Sequence, residues 1–329
     1  MNKKYFLHIV SALSMMIFFS CEEEIEVKVP DLTEKLVVEG KIENGLPPCV
    51  YLTRSSKFFG TTDLNDMEKY YVHDAFITIY SETDSVILQE YNTDQLSVLS
   101  EEDRIKASLA FNIPVLDPII LSGFVKIYFY APPIGSSFVG EVGKTYKMKV
   151  VHGDNIYTAQ TTIPITSVVF DTLYKEPADV EEIKTTHSLL RGKLKDPSAA
   201  GTFYKYTTRT NYQPWLFSFQ SVFDDAFING DSINVFIPKG LEFYEILQDF
   251  RDLPASTGYW ANEDTSIVKL SIIDKATYDF WRTLENNRQN QGSPFGNTVL
   301  IKGNISGNNV IGIWGGYNST ENVLFPSAL

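Results

Sequence analysis

Between Thr145 and Thr162 the chain alternates in steps of two: Tyr146, Met148 and Val150 are apolar, and Lys147 and Lys149 between them are charged. His152-Gly153-Asp154-Asn155 then interrupts the pattern ahead of Ile156–Thr162. Successive side chains of an extended strand point to opposite faces, so this period beside a Gly-containing turn predicts a β-hairpin with one face in a core. Runs of the same kind recur at Leu36–Ile42, Val50–Thr53, Ala75–Tyr80 and Val125–Tyr130, and Asn44-Gly45 marks a further turn. Many short β-rich runs without an internal repeat predict a sandwich, and not a solenoid or propeller.

The pattern loosens after Ile163. Pro164, Pro177 and the acidic Asp179–Glu182 read as a connection. The chain behind the leader is longer than one core usually organises, so two domains are expected. They are an immunoglobulin-like β-sandwich over 35–165 and a second β-rich domain over 187–329, joined by a linker over 166–186. In the second, Leu189–Leu194, Thr202–Thr210, Ser266–Ile273, Thr298–Lys302 and Val310–Trp314 read as strands. Asp274 suits a helix N-cap. Ala276, Phe280, Trp281 and Leu284 form an i, i+4, i+5, i+8 stripe with Asp279, Arg282 and Glu285 off it, which predicts one amphipathic helix over 275–290. The expected fold class is mainly β.

The first residues carry an address. Lys3 and Lys4 precede a mostly apolar run from Tyr5 to Phe19, the layout of a secretory signal over 1–20. The run is shorter than the ~20 apolar residues of a spanning helix, and Glu22, Glu23 and Glu24 follow at once. Phe18-Phe19-Ser20-Cys21 resembles a bacterial lipobox, with aromatic residues where aliphatic and small ones are usual. Cys21 is the expected lipidation site, heading an acidic tether over 21–34. Several acyl chains on one terminus hold firmly, since each buried methylene adds about 0.8 kcal/mol. Glu22–Glu24 resembles the acid-rich export signal of Bacteroidota surface lipoproteins; the same run also suits a plain solvated linker.

Charge narrows the partners. Removal of the leader takes Lys3 and Lys4 and no acid from 28 basic and 41 acidic residues, so the mature net charge falls from −13 to −15. Nucleic acid is not an expected partner for such a chain. The two cysteines exclude a Cys-rich zinc site, and with Cys21 lipidated Cys49 has no internal disulfide partner.

Reactive motifs are not found. His73, His152 and His187 fit no compact metal motif, so no metal or cofactor is expected. Gly303-Asn304-Ile305-Ser306-Gly307 has the wrong spacing for a nucleophile elbow, and Gly143-Lys144-Thr145 lacks the phosphate-loop glycine, Phe138 standing there. The acidic loops at Asp63–Asp66 and Asp224–Asp231 lack the order of a calcium loop. No catalytic residue is assigned. The densest aromatic stretch, Tyr204 to Phe219, alternates as a core-facing strand would; Trp215 and Trp260 are the candidates for ligand or partner contact.

Several short segments together resemble a family. They are Leu36-Val37-Val38-Glu39-Gly40, Gly143-Lys144-Thr145-Tyr146, Pro294-Phe295-Gly296, Asn304-Ile305 and Gly312-Ile313-Trp314-Gly315-Gly316-Tyr317. They are similar to the Bacteroidota lipoproteins of domain-of-unknown-function family 4249, usually encoded beside TonB-dependent outer-membrane receptors. The motifs themselves read as structural. The resemblance implies an outer-membrane, lipid-anchored, outward-facing protein without catalytic activity, an accessory to such a receptor in nutrient capture or uptake. The rival expectations are a surface hydrolase of glycan or peptide, using carboxylates that only folding brings together, and an adhesive or structural surface protein.

Overall fold

The computed structural model describes residues 34–55, 64–114, 120, 122–123, 125–211, 213–242, 245, 252–290 and 299–326. Residues from Glu34 onward form one compact unit. The fold is mainly β.

Its first half contains β1 (Leu36–Glu43), β2 (Cys49–Arg54), β3 (Phe76–Tyr80), β4 (Ser85–Asn92), two helices α1 (Thr93–Ser97) and α2 (Glu101–Phe111), then β5 (Tyr128–Ala131), β6 (Thr145–His152) and β7 (Asn155–Thr162). The second half contains β8 (Phe170–Pro177), β9 (His187–Lys195), β10 (Phe203–Thr210), β11 (Val222–Asp224), β12 (Ser232–Phe236), β13 (Trp260–Ala261), β14 (Ser266–Ile273), helix α3 (Lys275–Asn290) and β15 (Val310–Leu324). One sheet runs β11-β10-β14-β15-β1-β2-β5-β4-β3-β6-β7, and a smaller one joins β9 to β8, β12 and β13. The expected hairpin is β6–β7, paired from Thr145↔Thr162 to His152↔Asn155.

The large sheet crosses the expected domain boundary. β15, near the end of the chain, lies parallel to β1, from Leu36↔Val310 to Glu43↔Tyr317. Hydrophobic packing nevertheless divides where the sequence changes. One cluster gathers Val38, Ile42, Ile77, Met148 and Ile163 with Trp314, and another gathers Phe170, Leu194, Tyr204, Trp260 and Leu270.

The expected linker is not a free connection. It contains β8, and alternate side chains of β15 hold the segment before it. Asn318 Nδ2 donates to the Pro164 and Thr166 carbonyls at 2.9 and 2.8 Å, and the Phe170 amide donates to Asn322 Oδ1 at 3.0 Å. Thr320 Oγ1 donates to the Val168 carbonyl between them. Residues two apart on a strand share a face, so one face of β15 supplies partners to a backbone that would otherwise be unpaired.

Two further expectations shift. Residues 299–302 form no strand; the Asn287 side chain pairs with both the amide and the carbonyl of Val299. Helix α3 starts as expected, the Thr277 amide donating to Asp274 Oδ1 at 2.8 Å. Its buried face, however, carries Tyr278, Phe280, Trp281 and Glu285, while Ala276 is exposed. Among the described residues no helix is long and apolar enough to cross a membrane.

Candidate functional site

Alternation along the central strands creates a charged face opposite the apolar one. On β1, Val38 and Ile42 enter the core, so Glu39, Lys41 and Glu43 take the other side. The same period puts Lys205 and Thr207 of β10, and Lys269 and Ser271 of β14, on that side, while Tyr204, Tyr206, Val268 and Leu270 fill the second core. Aromatic rings then wall the face: Trp281 from α3, Phe217 and Trp215 from the segment after β10, Tyr317 from β15, Tyr51 from β2 and Phe111 from the end of α2. The result is a cavity of about 250 Å3 at the seam between the two halves.

The walls are braced. Trp281 stacks on Phe217 at 5.7 Å and donates its indole N–H to Tyr317 Oη at 2.9 Å. Tyr51 Oη donates to the Phe111 carbonyl at 2.6 Å, and Asn112 ends α2 in the left-handed conformation. Lys269 Nζ lies 4.4 Å from the Trp215 ring centre and Lys205 Nζ 3.9 Å from that of Trp281, so each ammonium meets the negative face of an indole.

Most of the buried charge is matched. Lys269 Nζ and Glu43 Oε1 are 2.7 Å apart. Burial would raise the Glu43 carboxyl, but the charges of Lys269 and Lys41 and the hydrogen bonds from Lys269 and Ser319 outweigh it and hold the group below its ordinary value. Lys205 Nζ donates to Ser221 Oγ, which donates to Glu285, whose second oxygen accepts the Ser221 amide at 3.0 Å. Ser221 thus donates to both Glu285 oxygens. Burial pushes the Lys205 amine down to about 8 against the pull of Glu285 and Glu39.

Glu39 and Lys41 form no hydrogen bond or ion pair with the described residues. Water reaches the Glu39 side chain from the pocket, yet protein surrounds it closely enough that burial raises its carboxyl, with Arg288, Lys205 and Lys41 opposing. Burial likewise lowers the Lys41 amine, mainly against Glu43. Two lining residues carry buried polar atoms without a partner among the described residues: Asn112 Oδ1 and Trp215 Nε1. Buried polar atoms usually have partners, so two such atoms beside the unpaired Glu39 and Lys41 mark this pocket.

Two other cavities are poorer in charge. One of about 310 Å3 under α1 and α2, lined by Leu96, Leu99, Phe129 and Ile134, has no charged lining among the described residues. A wider depression of about 630 Å3 near Phe223 and Tyr259 has Lys239, already paired with Glu242 at 3.2 Å.

The residues singled out in the sequence separate. Trp215 lines the charged pocket, but Trp260 is wholly buried in the second core, its indole N–H donating to the Ile237 carbonyl at 2.9 Å. A ring enclosed on all sides offers no contact surface, so Trp260 is a core residue. His73 pairs with Glu90, and His187 with Thr186. Asp225 accepts the Gly201 and Thr202 amides, both at 2.8 Å, and Asp224 the Tyr278 hydroxyl at 2.8 Å, so these acids hold local structure. No group of three or more His, Cys, Asp or Glu side chains among the described residues could hold a metal ion. Cys21 and Glu22–Glu24 lie outside the described residues.

The pocket charges escaped the sequence reading, although a signal was present. Lys205 stands between Tyr204 and Tyr206 and Lys269 between Val268 and Leu270, and Glu39, Lys41 and Glu43 alternate along β1. A charge recurring on the second face of several strands marks a face with a polar task.

The model of the family described as Domain of unknown function (DUF4249) matches residues 22–322. The chain belongs to the DUF4249 family. No curated protein matches it. In this DUF4249 chain four of the short motifs noted above meet around one ring. Trp314 is fully buried; its indole N–H donates to the Tyr146 carbonyl at 3.1 Å, and Asn304 both accepts its amide and donates to its carbonyl at 2.8 Å. A Cβ on Gly40 would stand 2.7 Å from the Trp314 ring, and one on Gly312, at φ 141°, would stand 1.9 Å from the Val38 carbonyl oxygen. Glycine at both positions is what lets β1 and β15 close on that ring. Pro294-Phe295-Gly296 lies outside the described residues.

Proposed function

We propose that this DUF4249 protein is a non-catalytic, lipid-anchored protein of the outer-membrane surface that captures a small solute for a TonB-dependent receptor. The observation that carries the capture reading is the pocket of about 250 Å3 in which aromatic walls flank Glu39 and Lys41, neither of which has a hydrogen-bond or ion-pair partner among the described residues. A concave, largely aromatic pocket with a few convergent polar groups is the usual form of a small-molecule site. The setting is supported by Cys21 at the end of an apolar leader, by Glu22–Glu24 behind it, and by the resemblance to receptor-associated lipoproteins. In this reading the immunoglobulin-like arrangement of β1–β7 is the stalk and one wall, and the second half supplies the other wall.

Hydrolysis by paired carboxylates fits less well, because it asks for two acids free to face one bond. Glu43 is engaged by Lys269 and Glu285 by Ser221, which leaves Glu39 among the acids at this pocket.

The test is purification of the tagged lipoprotein from detergent-solubilised outer membranes, with mass spectrometry of co-purifying proteins and thermal-shift screening against nutrient solutes. A stoichiometric barrel receptor and a stabilising solute whose effect is lost in Lys41→Met are expected. Neither a receptor nor any stabilising solute would overturn the reading.

A further inference from the structure

Charge accounting at the pocket points to the kind of solute. Glu43 is satisfied by Lys269, and Lys205 reaches Glu285 through Ser221. Among the described lining residues one acid and one base are left without a hydrogen bond or ion pair, Glu39 and Lys41. They are two apart on β1, so they share a face about 7 Å apart along the strand. Tyr51, Phe111, Phe217 and Trp281 line the same pocket with apolar surface.

We propose that the pocket binds a free α-amino acid with an apolar side chain, its ammonium on Glu39, its carboxylate on Lys41 and its side chain among the aromatic walls. The proposal rests on the capture reading above and names the solute class for the same site.

Three alternatives meet this pocket less well. A simple anion would pair with Lys41 and leave Glu39 facing it, and a simple cation would do the reverse. A neutral polyol would offer dipoles to both groups but a counter-charge to neither. A zwitterion supplies both opposite charges and adds no net charge. Burial disfavours the charged forms of Glu39 and Lys41 in the free protein, and an opposite charge brought beside each would offset that cost. The space, about 250 Å3, lies just below the roughly 300–1,000 Å3 of sites for drug-sized ligands, as a small solute requires.

The experiment is isothermal titration of the detergent-solubilised, full-length lipoprotein with leucine and phenylalanine, their N-acetyl and carboxamide derivatives, and glucose. We expect saturable binding of a free amino acid, weakened tenfold or more by blocking either end. Glu39→Gln should remove the penalty for N-acetylation and Lys41→Met the penalty for amidation, a pattern that general loss of folding would not produce. Blocked derivatives binding as well as the free amino acids would overturn the proposal. Glucose binding without amino-acid binding would overturn the zwitterion and leave the capture reading standing. Absence of binding by every solute would count against both.

Discussion

Lys269 on β14 and Glu43 on β1 stand 2.7 Å apart, reaching over β15, which lies between their strands. Both side chains are less than a tenth exposed. Removing one partner of such a pair leaves a buried charge alone, so Glu43→Gln is expected to lower stability by about 3–5 kcal/mol, measured by urea unfolding. Glu43→Leu combined with Lys269→Met should recover most of that loss. Wild-type stability in Glu43→Gln would mean the pair does not hold the seam.

Trp314 gathers the motifs of both chain ends, so its loss should be felt throughout the sheet. Trp314→Ala should cost about 3–5 kcal/mol, as expected for a buried aromatic. Asn304→Ala, which strips the Trp314 amide and carbonyl of their partners, should cost about 1–3 kcal/mol. Denaturant midpoints of the two variants check the order; an Asn304→Ala protein as unstable as Trp314→Ala would contradict it.

Much of this arrangement is legible in the sequence, and the remainder is hidden for definable reasons. Period two in Thr145–Thr162 gives the β6–β7 hairpin, and the stripe through Phe280 and Trp281 gives α3. Period two assigns faces, however, and not neighbours. That β15 lies beside β1, nearly the whole chain away, follows from packing around Trp314. The same blindness hides the pocket, whose charges come from β1, β10 and β14. Helix α2 went unseen because its apolar pattern is weak; its sign is Ser100, whose hydroxyl accepts the Asp103 amide, ahead of the acidic Glu101–Asp103 turn. The segment before β8 reads as a linker by composition, and the Asn318, Thr320 and Asn322 side chains reveal it as docked.

Lys205 gives the pocket a pH signature. Burial holds its amine at about 8, whereas in the unfolded chain it titrates near 10.5. Between those values the unfolded state binds a proton that the folded state lacks, so stability rises with pH across that window. Below pH 8 both states are protonated and the cost of the buried cation is present in full. The stability of Lys205→Met relative to wild type should therefore be highest at and below pH 8, and decline to a plateau above about 10.5. A difference that stays flat from pH 7 to 11 would contradict the assignment.

Cys49 should be inert in the folded protein. It is fully buried, and burial pushes its thiol up to about 12. Iodoacetamide labelling followed by mass spectrometry should modify Cys49 only under denaturing conditions. Labelling of the native protein at pH 8 would show that β2 opens.

The capture claim is tested most directly by mapping lysine accessibility with an amine-reactive reagent, with and without a nutrient extract. Lys41 should be protected by the extract, while the exposed Lys147 and Lys149 of β6 react unchanged. Equal labelling of Lys41 in both conditions, at extract concentrations that stabilise the protein, would place the bound solute elsewhere and contradict the account.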